Sequence, residues 1–238
     1  MPGVRLTIAA GGGAFDRRAA AIIAAALEGA TTAVVATGRT PMGAYARLGA
    51  DLPPGRLEHL RVFQLDEYVG VGSEDRRSLA AWTRRSFVDP LGIDPSGVVW
   101  LDGLAGDLEA SCSGYEQAVA DAGGLDLAVL GIGPNGHLGF NEPPADPSSR
   151  TRVVRLSEAS LRSNAGYWPE LEVPTSALTA GMDLLLAARR VVLLASGRAK
   201  HDIVRRAFEG RVTRDVPASF LQEHPDVDLM VDADAWDS

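Results

Sequence analysis

Short apolar runs separated by amphipathic stretches recur along the whole chain. Val4 to Ala10, Thr32 to Thr37, Leu60 to Leu65, Val98 to Leu101, Leu127 to Leu130, Val191 to Ala195 and Asp228 to Val231 are rich in Val, Leu and Ile, which predicts strands. The run Leu127 to Leu130 has no polar break, as expected of a strand buried on both faces of a parallel sheet. Thr151 to Leu156 alternates polar and apolar residues, which predicts a strand with one solvated face. Between these runs the pattern predicts helices. One is capped by Asp16 and ends near Gly29; another is capped by Thr40, with Pro41 at its first position. Others cover Ser78 to Phe87, Asp107 to Ala122, Ser157 to about Ala165 and Met182 to Arg189, and one after Gly197 carries Lys200 in its first turn. The Asp-rich tail is expected to be solvated. Alternation of strand and helix predicts an α/β fold: a single-domain, Rossmann-like open sheet, mostly parallel, with right-handed crossovers and helices on both faces.

In such a sheet, chemistry gathers in the loops at the carboxyl ends of the strands. The run through Leu130 dissolves into Gly131-Ile132-Gly133-Pro134-Asn135-Gly136-His137-Leu138-Gly139-Phe140-Asn141-Glu142. Its four glycines allow positive φ and close approach of backbone amides to a ligand. His137 and Glu142 are close enough for the carboxylate to fold back on the imidazole, fix its tautomer and raise its basicity. Leu60 to Leu65 delivers Asp66, Glu67 and Tyr68; an acid there either works in catalysis or caps the next helix. Thr37-Gly38-Arg39-Thr40 joins a strand to a helix, an arrangement that aims backbone amides at an anion. An ordinary βα turn explains that segment equally well. Lys200 opposes the dipole of its helix, so it either meets a bound anion or is a solvated surface lysine.

The chain has 238 residues, enough for one α/β domain over 1–238, and no linker, repeat or low-complexity tract divides it. A net charge of −8 without a basic run argues against a nucleic-acid surface, so any anionic ligand must be attracted locally. The single cysteine, Cys112, forms no internal disulfide and fits a reducing compartment. The first apolar segment is too short for a signal peptide and no segment is long enough to cross a membrane, so a cytoplasmic protein without a membrane partner is expected. Cys and His are too sparse for a zinc constellation, and no Gly-x-Ser-x-Gly elbow marks a serine hydrolase. No cofactor is expected.

The stretch Gly131 to Pro143 resembles the signature of the glucosamine-6-phosphate deaminases. Thr37-Gly38-Arg39-Thr40-Pro41, Leu65-Asp66-Glu67-Tyr68-Val69-Gly70, and the C-terminal third from Ala177-Leu178-Thr179 to His224-Pro225 are similar as well. The resemblance implies ring opening, isomerisation and deamination of glucosamine 6-phosphate to fructose 6-phosphate and ammonia. It implies Asp66 as the base at C2, and His137 with Asn135 and Glu142 for ring opening. It also tips Thr37, Gly38, Arg39, Thr40 and Lys200 toward phosphate binding.

Two departures accompany the resemblance. The arginine that the family uses on the phosphate falls on Gly166 here, with Arg39 or Arg162 as substitutes. In the enteric members activated by N-acetylglucosamine 6-phosphate, the allosteric lysine corresponds to Val154, although Arg152 is kept; with their C-terminal extension unmatched, hyperbolic kinetics is expected. Besides an amino-sugar-phosphate deaminase, a lactonase of the same fold, a deaminase for another hexosamine phosphate and a non-catalytic sugar-phosphate sensor are the competing readings. The sequence leaves monomer or homo-oligomer open.

Overall fold

A computed structural model describes residues 3–53, 55–169 and 172–237. Its largest element is an all-parallel sheet of seven strands: β1 (Val4–Ala9), β2 (Thr32–Val35), β3 (Arg61–Gln64), β5 (Val98–Val99), β6 (Leu127–Gly131), β9 (Arg190–Ala195) and β10 (Val227–Asp232). Their order across the sheet is β1-β10-β9-β6-β2-β3-β5. The middle strands β6 and β9 pair in register from Leu127 with Arg190 to Gly131 with Leu194, and are almost wholly buried. Apolar residues therefore face both ways: Leu127 and Val129 join one core, while Ala128 and Leu130 join the other.

One core contains α1 (Gly13–Leu27) and α2 (Met42–Asp51), through Phe15, Ile23, Tyr45 and Leu48. The other contains α4 (Leu108–Asp121), α6 (Met182–Leu186), α7 (His201–Phe208) and α8 (Ala233–Trp236). The expected open sheet with helices on both faces is what forms. No helix among the described residues is long and apolar enough to cross a membrane.

A second sheet was not expected. β4 (Asp66–Tyr68), β8 (Ser176–Thr179) and β7 (Arg152–Arg155) form an antiparallel sheet in the order β4-β8-β7. Only Leu65 separates β4 from β3, so the chain steps from one sheet to the other without a crossover helix. Strands this short carry little periodic signal, and β8 owes its place to partners on both sides. Beside this sheet lie α3 (Leu79–Thr83) and α5 (Glu158–Asn164), with a third, smaller apolar cluster around Tyr68, Phe140 and Trp168.

Several boundaries differ from the expectations. Asp16 is not a cap: Gly12 takes φ 63° and the helix starts at Gly13, leaving Asp16 in the first turn, where an acid still suits the dipole. Thr40 is not a cap either. Gly38 turns the chain with φ 91°, the Arg39 carbonyl accepts from the Met42 amide, and α2 begins one residue after Pro41. The helix expected over Ser78 to Phe87 is capped by Ser78 but widens into a π-helical turn at Arg84–Val88. That expected over Met182 to Arg189 stops at Leu186, and the strand Val98 to Leu101 shrinks to two residues. Lys200 closes a short 3-10 turn before α7 instead of lying inside it. The tail is not uniformly solvated: Asp232 is buried and accepts from the amides of Gly197 and Ala235, capping α8.

Candidate active site

A cavity of about 630 Å³ opens at the carboxyl edge of the parallel sheet. The ends of β2, β3, β6 and β9 all deliver residues to it, as the fold rule requires. Thr37, Gly38, Arg39 and Thr40 come from the β2–α2 turn, Asp66 from the β3–β4 step, His137 from the loop after β6, and Lys200 from the turn after β9. Of the nine residues expected at the site, seven line the cavity; Asn135 and Glu142 stand behind His137.

The two adjacent acids of β4 divide the two roles open to them. Glu67 joins Ser78 in capping the helix: its carboxylate accepts from the amides of Leu79 (3.0 Å) and Ala80 (2.8 Å) at the start of α3, from its neighbour Tyr68 (2.8 Å) and from Gln64 Nε2 (3.1 Å). Burial nevertheless raises its pKa. Asp66 is 7% exposed, and its carboxyl faces the cavity without a hydrogen-bond donor among the described residues. Its pKa is pushed up to about 8, first by burial and then by the negative charge of Glu67.

The loop after β6 builds the second acid–base group. Glu142 Oε2 lies 3.2 Å from His137 Nδ1 and accepts from Asn135 Nδ2 at 2.6 Å. A carboxylate only accepts, so Nδ1 carries the proton and Nε2 is left bare. Burial opposes ionisation of Glu142, but its contacts with His137, Ser160 and Asn135 prevail and hold its carboxyl at about 2. Of the four glycines, Gly136 and Gly139 take positive φ; Gly131 and Gly133 do not. Gly133 is needed for another reason. A Cβ there would fall 2.1 Å from His137 Nε2, so the imidazole occupies the space a side chain would take. Asn141, fully buried, is structural: its Nδ2 donates to Leu138 O and Ala180 O, tying the loop to the end of β8.

A second group of lining residues brings cations and free amides. The amides of Gly38, Arg39 and Thr40 donate to no protein acceptor among the described residues. Lys200 Nζ donates to Ile132 O at 2.6 Å, and burial lowers its pKa. The guanidinium of Arg39 lies over the ring of Tyr167 at 5.4 Å, and its Nη2 is 3.5 Å from where a Cβ on Gly166 would be. Arg162, the other substitute considered, is exposed and pairs with Glu158 away from the cavity.

Sequence reasoning missed the aromatic wall, in which Tyr167 packs edge-on against Trp82 at 4.9 Å, and it missed Ser160, 3.4 Å from His137 Nδ1. Neither carries a local motif; both arrive through tertiary packing. Among the described residues no cluster of three or more His, Cys, Asp or Glu side chains is arranged to hold a metal ion.

A doubly wound sheet whose carboxyl edge brings a buried acid, a carboxylate-bound histidine and an arginine-bearing turn to one cavity has the layout of an α/β enzyme with an acid–base pocket. The chain belongs to the family of glucosamine-6-phosphate isomerases and 6-phosphogluconolactonases, whose model matches residues 9–230. It is 46% identical over 201 residues to a glucosamine-6-phosphate deaminase of Cutibacterium acnes, covering 83% of this chain and 77% of that one. Identity to glucosamine-6-phosphate deaminase 1 of Bacillus subtilis is 41% over 204 residues, 84% of both chains. A solved monomeric glucosamine-6-phosphate deaminase superposes with a TM-score of 0.89 at 36% identity, covering 98% of each chain. A 6-phosphogluconolactonase from Thermotoga maritima shares the fold, with a TM-score of 0.76 at 20% identity over 97% of this chain and 99% of that one.

Proposed function

We propose that this chain converts glucosamine 6-phosphate and water to fructose 6-phosphate and ammonia. The observation that carries the reading is the pairing of Asp66 with a Glu142-bound His137 on one cavity, in a chain whose relatives are named for that reaction. His137 Nε2, bare in the Nδ1–H tautomer, takes the proton of the C1 hydroxyl and returns it to the ring oxygen, which opens the pyranose. Asp66 removes the C2 proton while a proton of the C2 ammonium passes to O1, giving an enolamine, and Asp66 then delivers its proton to C1. The resulting C2 iminium adds water and expels ammonia, leaving the ketone. The chemistry is an aldose–ketose isomerisation with a hydrolytic last step, which is the sense in which the enzyme is a hydrolase.

A protonated Asp66 cannot act as the base, and burial favours that form. The ammonium at C2 of the incoming sugar supplies an adjacent positive charge, which favours the carboxylate when it is needed. The phosphate lies against the amides of the Gly38 turn, Arg39 and Lys200, whose positive charge is local within a chain of net charge −8.

Ammonia and ketose release measured over a panel of hexosamine 6-phosphates tests the proposal. Stoichiometric ammonia and fructose 6-phosphate from glucosamine 6-phosphate is the expected result. Acid release from 6-phosphogluconolactone with no ammonia from any amino sugar would overturn it.

A further inference from the structure

His137 has two neighbours at Nδ1. Glu142 Oε2 is 3.2 Å away, and on the other side the hydroxyl of Ser160 is 3.4 Å away. Ser160 is 1% exposed and lies in the first turn of α5, outside the loop that carries the histidine. Its backbone amide donates to the hydroxyl of Ser157, the helix cap, at 3.2 Å. The Ser157 amide in turn is 3.4 Å from Glu142 Oε1. The first turn of α5 is therefore fitted against both members of the histidine–carboxylate pair.

The direction of each hydrogen bond follows from the inventory of donors. Glu142 accepts only, so Nδ1 is a donor and Ser160 Oγ faces an N–H, from which it accepts. The hydroxyl proton is then free for the Glu142 carboxylate, which Ser160 helps to hold in its ionised form. The first turn of α5 thus meets the imidazole through the Ser160 hydroxyl and the carboxylate through the Ser157 amide. The far end of the same helix contributes Ser163 and Asn164 to the cavity wall, so this contact also sets the wall against the proton-transfer pair.

We infer that Ser160 is a positioning residue: its hydroxyl, 3.4 Å from His137 Nδ1, fixes the tautomer and tilt of the imidazole, while the Ser157 amide beside Glu142 registers α5 on the site. For its kinetic consequence the inference rests on the proposed reaction; for its spectroscopic consequence it does not.

Imidazole 15N–1H spectra of the labelled protein test it, with the signals of His137 assigned by their loss in His137→Gln. The wild type shows a protonated Nδ1 and a bare Nε2. In Ser160→Ala the Nδ1–H signal broadens and the tautomers mix, and kcat for ammonia release falls about threefold to tenfold, the worth of one hydrogen bond, with KM within about twofold. Ser160→Thr, which keeps the hydroxyl, restores both readouts. Ser160→Cys, similar in volume but a poor hydrogen-bonding partner, behaves like Ser160→Ala and covers a folding defect of the smaller variant. Wild-type spectra and kcat in the Cys variant, or in a folded Ala variant, overturn the inference. Should the wild type release no ammonia, the proposed reaction fails, but the spectra still decide the role of Ser160.

Discussion

The two sides of the cavity are built on opposite plans. On the proton-transfer side the groups are backed by fixed neighbours: the half-buried His137 rests on Glu142, which is itself held by Asn135, and the buried Asp66 stands on a strand whose next residue, Glu67, is tied to the start of α3. On the anion side, Arg39 makes a single stacking contact with Tyr167, the turn amides are free among the described residues, and Lys200 leans on one backbone carbonyl. Proton transfer demands atoms in fixed positions, because misplacement by about an ångström costs on the order of a hundredfold in rate. Holding a phosphate demands only positive potential and several donors, so adaptable groups suffice. The rigid side should therefore govern kcat, and the adaptable side KM.

The largest effect expected from breaking the rigid side is at Asp66. Asp66→Asn should lower kcat by about 10²–10⁴-fold while KM stays within a few-fold, because the base is lost and the pocket is not. Steady-state ammonia release checks this, and near-normal turnover would remove Asp66 from the mechanism. The acid limb of kcat/KM, which reports the free enzyme, should bend near pH 8, with activity rising toward it as Asp66 ionises. Stability should run the other way. The folded-state pKa is raised from 3.8, so the contribution is full below about pH 4 and is lost as pH rises to about 8, by at most about 1.4 kcal/mol per pH unit. Asp66→Asn should flatten that slope in denaturation curves taken across the interval.

Gly133→Ala comes next. Its Cβ would lie 2.1 Å from His137 Nε2, and the imidazole, a movable side-chain end, is what must give way. Loss of about a hundredfold in kcat with little change in Tm is expected. An unchanged kcat would mean that the position of the imidazole does not matter, and the contrast between the two sides would fail with it.

How much of this could be read in the chain depends on how local each signal is. The buried strands around Leu127 to Leu130 and Val191 to Ala195 were legible because an unbroken apolar run needs both of its faces covered. The histidine–glutamate contact was legible because one short glycine-rich loop holds both partners. That Asp66 would face the cavity and Glu67 the helix was legible only through the resemblance, since the residues alone leave the choice to α3, which arrives later in the chain, after Ser78. β7 was legible as the half-solvated strand expected over Thr151 to Leu156, but neither its pairing with β8 and β4 in an antiparallel sheet nor Ser160 was. The first joins segments far apart in the sequence, and the second is one serine among many until α5 packs against the loop.

The smallest effect belongs to the adaptable side, and it is where this chain departs from the family pattern. The resemblance leads one to expect a phosphate-binding arginine at Gly166, and Nη2 of Arg39 stands 3.5 Å from where a Cβ on Gly166 would be, reaching that spot from the β2–α2 turn. A guanidinium supplies two parallel donors to a phosphate, and one charge-assisted contact contributes about 1.5–3 kcal/mol. Some of that is offset here, since Lys200 and the free amides remain on the cavity to meet the proposed phosphate. Arg39→Ala should therefore raise KM for glucosamine 6-phosphate about tenfold with kcat unchanged, and should leave any reaction of unphosphorylated glucosamine where it was. Gly166→Arg alone sets two guanidinium groups side by side, and their repulsion should leave KM no better than wild type. In the double variant Arg39→Ala with Gly166→Arg the incoming side chain has the space to itself, and KM should return most of the way to wild type. If Arg39→Ala raises KM but the double variant does not recover it, Arg39 binds the phosphate from a position that residue 166 cannot serve. If Arg39→Ala has no effect on KM, the amides and Lys200 hold the phosphate alone, and the adaptable side is simpler than its charges suggest.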